Sequence, residues 1–268
     1  TAGVGWGFGL AQDRWEKEEI MGWYFAHRDE SIQTTVKRLA KLPMDAQPGE
    51  KFVYGLSIDI LGALIEVVSK QPLDQFLKHE IFEPLEMNDT YFFLPLKEKE
   101  RLVKVYSSTK TGVKLADDPG KRVGASMIGQ GHYINGPRMS FSGGAGLLST
   151  AEDYAVFLQM MLNEGQFRNK RILSRKSVEL MTTNHIADIP FGVDGVRFGL
   201  GFRTVEQLGG RGMLGSIGEF SWGGAYHSTY WVDPKEDMVV VYFTQLIPAR
   251  KIDDYDKLRT LIYQSIID

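Results

Sequence analysis

The chain has 268 residues, enough for one large domain or two small ones with a sizeable buried core. Its composition, 43% hydrophobic, 24% charged and 12% aromatic, is that of a globular protein, and a net charge of −3 gives no footprint for a nucleic-acid partner. No stretch reaches the roughly 18 unbroken apolar residues of a membrane span, and the lack of cysteine excludes disulfides, thiolate nucleophiles and cysteine-held metals. Residues 31–42 place Val36, Leu39, Ala40 and Leu42 at helical spacing, and Pro43 and Pro48-Gly49 break the chain after them. Residues 57–69 put Ile58, Leu61, Leu64, Ile65 and Val68 on one helix face. Pro72 suits the start of a further helix through Phe76, Leu77 and Ile81, ending before Pro84.

Residues 97–140 are polar and rich in turn residues, and read as long surface loops framing a cleft. Thr150 precedes an apolar period through Tyr154, Phe157, Leu158, Met161 and Leu162, which predicts a helix closed by Gly165. A short helix follows Ser174. Beyond Pro190 the pattern turns to strand, at 197–205, 228–232 and 238–245, with residues 234–237 making a hairpin turn. An amphipathic helix from about Asp253 closes the chain. Helix content thus dominates 1–195, strands and a last helix fill 196–268, and the two together form one α+β domain.

Two stretches can carry chemistry. In Pro48-Gly49-Glu50-Lys51-Phe52-Val53-Tyr54-Gly55 the turn holds Tyr54 at a helix entrance. A phenol with an ordinary pKa of about 10 needs a nearby cation to act as a base at neutral pH. Alone, a structural tyrosine bonding its hydroxyl is the simpler reading. Ser221-Trp222-Gly223-Gly224-Ala225-Tyr226 lies just before a strand, where paired glycines let backbone approach a ligand and an exposed amide can stabilise an oxyanion. Alone, a glycine-rich bulge is the simpler reading.

Taken in order, these stretches resemble the β-lactamase-like serine hydrolases, which include class C β-lactamases, family VIII carboxylesterases and DD-peptidases. Residues 48–62 are similar to the family's tyrosine motif. Residues 81–90 resemble its Pro-Leu-Gly-Met segment, with Glu86 where glycine is usual. Gly143-Gly144-Ala145-Gly146-Leu147-Leu148-Ser149-Thr150, then Asp153-Tyr154, resembles a further signature. Trp222-Gly223-Gly224 looks like the third motif in its esterase form, and Trp231-Val232-Asp233-Pro234 also matches.

The resemblance implies a β-lactamase/DD-peptidase-like fold, an antiparallel sheet flanked by helices. It implies an acyl-enzyme reaction on a small ester or amide, with no cofactor and no metal. Tyr54 is then the base partner of a Ser-x-x-Lys pair, and the Ala225 amide is half of an oxyanion hole. Trp222, Gly223, Gly224 and His227 line the substrate side, although His227 fits an edge strand better. Two departures stand out. Leu56 sits where class C β-lactamases keep an asparagine, and Trp222 replaces the lysine of their third motif. Both favour a neutral or bulky ester over a substrate carboxylate.

The family's Ser-x-x-Lys precedes the tyrosine motif, and no such helix is found here. Ser107-Ser108-Thr109-Lys110 fits the spacing, but Lys110-Thr111-Gly112 shares its lysine, and a solvated turn is expected. The fold is therefore expected to be incomplete at the N-terminus, with a strand edge open to a missing segment supplied in cis or by a separate chain. On that expectation these residues alone are inactive. A non-catalytic binding or sensing homologue and a D-amino-acid peptidase stand as alternatives. The five histidines show no metal spacing. The resemblance favours a periplasmic or secreted setting, with the cytoplasm open.

Overall fold

A computed structural model describes residues 1–9, 11–124 and 126–267. Backbone proximity divides the chain into two compact units, Thr1–Thr150 and Ala151–Asp268. The change from helix to strand near residue 195 falls inside the second unit, where two helices precede the sheet.

The first unit opens with α1 (Gln12–Lys17), α2 (Ile32–Leu39), α3 (Ser57–Ser69) and α4 (Leu73–Leu77). Ser31 caps α2 by accepting from the Thr34 amide at 3.3 Å. Pro72 stands at the N-cap of α4, and a π turn, Lys78–Phe82, continues that helix to the proline break. The core gathers Val4, Trp15, Ile20, Phe25, Ile32, Leu39, Leu42, Leu56 and Ala63. α3 turns an unexpected side to that core. Asp59, Gly62, Ala63 and Glu66 are buried, whereas Leu61, Leu64 and Val68 are 47%, 54% and 74% exposed. The polar residues can be buried because their acceptors are used. Glu66 accepts from the Leu73 amide at 3.0 Å and from Gln33 Nε2 at 2.8 Å.

Residues expected to be loops carry more structure than that. A 3₁₀ turn (Leu96–Arg101) leads to the hairpin of β1 (Tyr106–Ser108) and β2 (Val113–Leu115). A second hairpin joins β3 (Lys121–Val123) to β4 (Ser126–Ile128), before the single turn α5 (His132–Asn135).

The second unit starts with α6 (Ala151–Leu162), the small hairpin of β5 (Gln166–Phe167) and β6 (Lys170–Arg171), and α7 (Arg175–Met181), capped by Ser174. Its sheet has the order β11-β10-β9-β8-β7 and is antiparallel throughout: β7 (Val196–Phe198), β8 (Arg203–Val205), β9 (Phe220–Gly224), β10 (Ser228–Asp233) and β11 (Met238–Tyr242). The short α8 (Leu208–Arg211) links β8 to β9, and α9 (Asp254–Gln264) closes the unit.

Two sequence readings need correcting here. The strand expected over 197–205 is a hairpin, because Gly201, at φ +90°, turns the chain back. The Trp222-Gly223-Gly224 stretch does not merely precede a strand; it is the end of β9, with Trp222 opposite Tyr230 and Gly224 opposite Ser228. Five strands therefore stand where three were expected.

Adjacent residues of β10 point to opposite faces. Tyr230 meets Tyr154 of α6, with ring centroids 5.0 Å apart, and Trp231 lies under the Arg259 guanidinium of α9 at 4.3 Å. α6 and α9 thus cover the two sides of the sheet. Among the described residues β11 pairs with β10 alone, and all five of its residues are partly exposed. No helix among the described residues is long and apolar enough to cross a membrane.

Candidate functional site

Tyr54 is 47% exposed at the entrance to α3. Its ring stands edge-on to Trp6, with centroids 4.6 Å apart and planes at 64°. The next residue explains how the two segments come so close. A Cβ on Gly55 would lie 2.3 Å from the Val4 carbonyl oxygen and 2.5 Å from Gly5 Cα. Only glycine lets the tyrosine turn abut the opening segment of the chain. Gly3, at φ +78°, lies equally tight on Ala46, so this segment seats the whole motif. Leu56 is 1% exposed and belongs to the core. The position that carries an amide in class C β-lactamases is here a packing residue.

The glycine-rich stretch from Ser142 forms a joint with α3. Asp59, one turn into α3, accepts from Ser142 Oγ at 2.5 Å and from the Gly144 amide at 3.2 Å. Ser142 Oγ in turn accepts from the Ala145 amide at 3.2 Å. A Cβ on Gly143 would sit 2.5 Å from the Ile58 carbonyl oxygen, so the glycine segment can lie directly on the helix. Burial pushes the Asp59 carboxyl up to about 6, against the pull of these hydrogen bonds.

Ser107 does not stand at a helix start. It is buried in β1, opposite Lys114, and the turn after it is closed by Thr109, whose amide donates to the Gly112 carbonyl at 2.8 Å. A Ser-x-x-Lys pair on one helix face is thus not made by Ser107 and Lys110.

In the second unit, Ala225, Tyr226 and His227 form the turn between β9 and β10. The turn is pinned from outside. The Leu246 amide donates to the Tyr226 carbonyl at 3.0 Å, and Thr244 Oγ1 donates to the carbonyls of Tyr226 and His227. Ala225 is exposed, and among the described residues its amide meets no acceptor. That is what an oxyanion donor requires. Gly223 and Gly224 are also exposed; a Cβ on either would lie within 2.8 Å of Ser228 atoms.

Trp222 packs in an aromatic group with Phe198 at 5.1 Å and Phe191 at 6.3 Å. His227 has φ +61°, a conformation that side-chain-bearing residues rarely hold. Its Nε2 is 2.9 Å from Asp254 Oδ1, and its ring stacks on Tyr255 with centroids 4.1 Å apart. That nitrogen is committed to the protein. Burial works against the Asp254 charge, but the bonds from His227 and Tyr242 outweigh it and hold the carboxyl below its usual range.

Sequence reasoning pointed to residues 191–198 as shaping the substrate pocket, and missed Trp6 and Asp254 as supports of these groups. Trp6 is one of two aromatics, with Phe8, among the glycines at 3, 5, 7 and 9. Among the described residues no group of three or more histidine or acidic side chains could hold a metal.

The architecture is that of the β-lactamases and penicillin-binding proteins. It superimposes on the hydrolase EstCE1, described as having promiscuous acyltransferase activity, with a TM-score of 0.84 at 23% identity, covering 98% of this chain and 69% of that one. The chain belongs to the Beta-lactamase family, whose model matches residues 1–263. It is 32% identical over 227 residues to Protein Rv1367c of Mycobacterium tuberculosis, covering 80% of this chain and 54% of that protein. It is 29% identical over 240 residues to the N-acetylmuramyl-L-alanine amidase of Bacillus subtilis, covering 85% of this chain and 51% of the amidase. The chain therefore spans about half the length of these curated relatives.

Proposed function

We propose that these residues form part of a serine hydrolase that opens ester or amide bonds, β-lactams among them, through an acyl-enzyme. Tyr54 is the general base, its phenol made acidic by the lysine of a Ser-x-x-Lys segment carried outside residues 1–268. It takes the serine proton, returns it to the leaving group, and later activates water. The Ala225 amide and that of the serine stabilise the oxyanion. Trp222, Gly223 and Gly224 bound the substrate, and His227 holds their turn through Asp254. The buried Leu56 and the aromatic group around Trp222 favour a neutral, bulky ester.

The observation that carries this reading is the seat of Tyr54: a half-exposed phenol, fixed by Trp6 and by the Gly55–Gly5 contact at a helix entrance. The test is fluorophosphonate labelling of the native protein, with the adduct located by mass spectrometry. A labelled serine outside residues 1–268 is expected, and Tyr54→Phe should lower turnover of a p-nitrophenyl ester by roughly 10²–10⁴-fold with the fold intact. A labelled serine within these residues overturns the assignment of the nucleophile. No adduct at all favours a binding or sensing homologue. The likeness to a protein named an amidase supports a second reading, an amide substrate. Turnover of a D-Ala-D-Ala peptide at about a hundred times the ester rate would establish it.

A further inference from the structure

Away from Tyr54, the first unit holds a cavity of about 640 Å³ lined by three arginines and four carboxylates, with the arginines the more buried. Arg28, Arg38 and Arg122 all reach it, and Glu30 is the one of the four carboxylates that is not exposed. Arg28 is 8% exposed; Nη1 donates to Glu30 Oε1 at 3.1 Å and Nη2 to the Glu19 carbonyl. Arg38 Nη2 shares the same Glu30 oxygen at 2.5 Å. Arg122 donates to the Met21 carbonyl at 2.7 Å and has no ion-pair partner among the described residues.

Three nitrogens of these side chains are buried and meet no partner: the Nε atoms of Arg28 and Arg38, and His27 Nδ1. Burial, helped by Arg28 and Arg122, lowers the His27 imidazole to about 4, so at neutral pH it adds a hydrogen-bonding nitrogen without a charge. Burial likewise works against the charge of Arg28 and Arg122. The remaining carboxylates of the wall, Glu16, Glu19 and Asp29, lie nearer the solvent.

Desolvated guanidiniums are stable when oxyanions satisfy their planar donors, and of the four lining carboxylates only Glu30, among the described residues, is bonded to an arginine here. We propose that this cavity binds the oxyanion of a small molecule, a carboxylate or a phosphate, with Arg122, Arg28 and Arg38 as the donors. Its volume suits a small organic molecule with an anionic end, and the carboxylates of the wall disfavour a polyanion. The proposal does not depend on the catalytic reading, since no residue of the Tyr54 seat or the Ala225 turn lines the cavity.

Isothermal titration at constant ionic strength, with inorganic phosphate and separately with succinate, tests it. The unmodified protein should bind at least one of the two with a Kd below about 10 mM, and the probe that binds tells which source the site takes. Arg122→Gln should weaken binding by roughly tenfold or more, while Arg175→Gln, at an exposed arginine of α7, should leave it unchanged. If circular dichroism shows Arg122→Gln unfolded, Arg38→Gln is read in its place. Absence of binding by both probes, equal affinity in the arginine variant, or an equal loss in Arg175→Gln overturns the proposal.

Discussion

His227 Nε2 lies 2.9 and 3.1 Å from the two carboxylate oxygens of Asp254, and this pairing keeps a residue with φ +61° in the turn that follows Ala225. Tyr242 donates to the same carboxylate at 2.9 Å, and Tyr255 stacks on the imidazole. Side-chain contacts thus hold a backbone shape that glycine would adopt without them.

That balance predicts an order of stabilities. His227→Ala keeps the strained backbone and loses the contacts. His227→Gly loses the contacts and relieves the strain. The alanine variant should therefore be less stable than the glycine variant by about 1 kcal/mol, read as a lower urea midpoint. Equal midpoints would show that the turn carries no strain.

Glu219 is fully buried between Arg211 at 3.0 Å and Arg259 at 2.7 Å, and Tyr263 donates to it at 3.2 Å. Burial opposes its ionisation, but the two guanidiniums outweigh that and hold the carboxyl below its usual range. Glu219→Gln leaves two buried cations facing an amide. A loss of about 3–5 kcal/mol is expected, visible as a large fall in Tm. A loss within about 1 kcal/mol would mean that water reaches the cluster.

The raised carboxyl of Asp59 acts on stability with a definite sign. Its folded value of about 6 lies above the ordinary carboxylate range near 4, so between those values the folded protein holds the extra proton. Asp59 therefore favours folding at low pH, and that contribution is lost as pH rises through about 6. An asparagine at this position still offers an oxygen to Ser142 and Gly144. Asp59→Asn should gain on the native protein by about 2–3 kcal/mol between pH 4 and 7, measured by denaturant titration at both values. Parallel curves for the two proteins would refute the assignment.

Gly55→Ala tests the seat of Tyr54. The added methyl must push back the Val4 and Gly5 backbone, which has no flexible end to yield. A destabilisation of about 1–3 kcal/mol is expected, together with a change in Trp6 fluorescence as the rings separate. Unchanged stability and fluorescence would show that the opening segment is not fixed there.

The sequence spoke clearly wherever a signal was local. The break at Pro84 and the turn at residues 234–237 are written in adjacent residues and appear as expected. The tyrosine motif was visible for the same reason. Its Trp6 seat was not, because that contact joins distant positions and depends on two glycines that merely leave room. Strand β9 was hidden by the same glycines that make its end interesting, since Gly223 and Gly224 have low strand propensity and are held only by pairing with β10. On α3 the period was right but the buried side was not legible. Hydrophobic spacing assigns the apolar face inward, whereas Asp59 and Glu66 go inside because distant amides and Ser142 satisfy them.

The outward apolar face of α3 also shapes the thermodynamics of folding. Leu61, Leu64, Val67 and Val68 are already half to three-quarters hydrated in the folded state, so unfolding exposes less of them than of core residues. They add less to the heat-capacity increment than the same residues would in the core, and the stability curve is correspondingly flatter with temperature. Any surface that dried this face would release roughly half to three-quarters of the about 1.5–3 kcal/mol that full burial of such a side chain gives, steepening the curve and raising its maximum together.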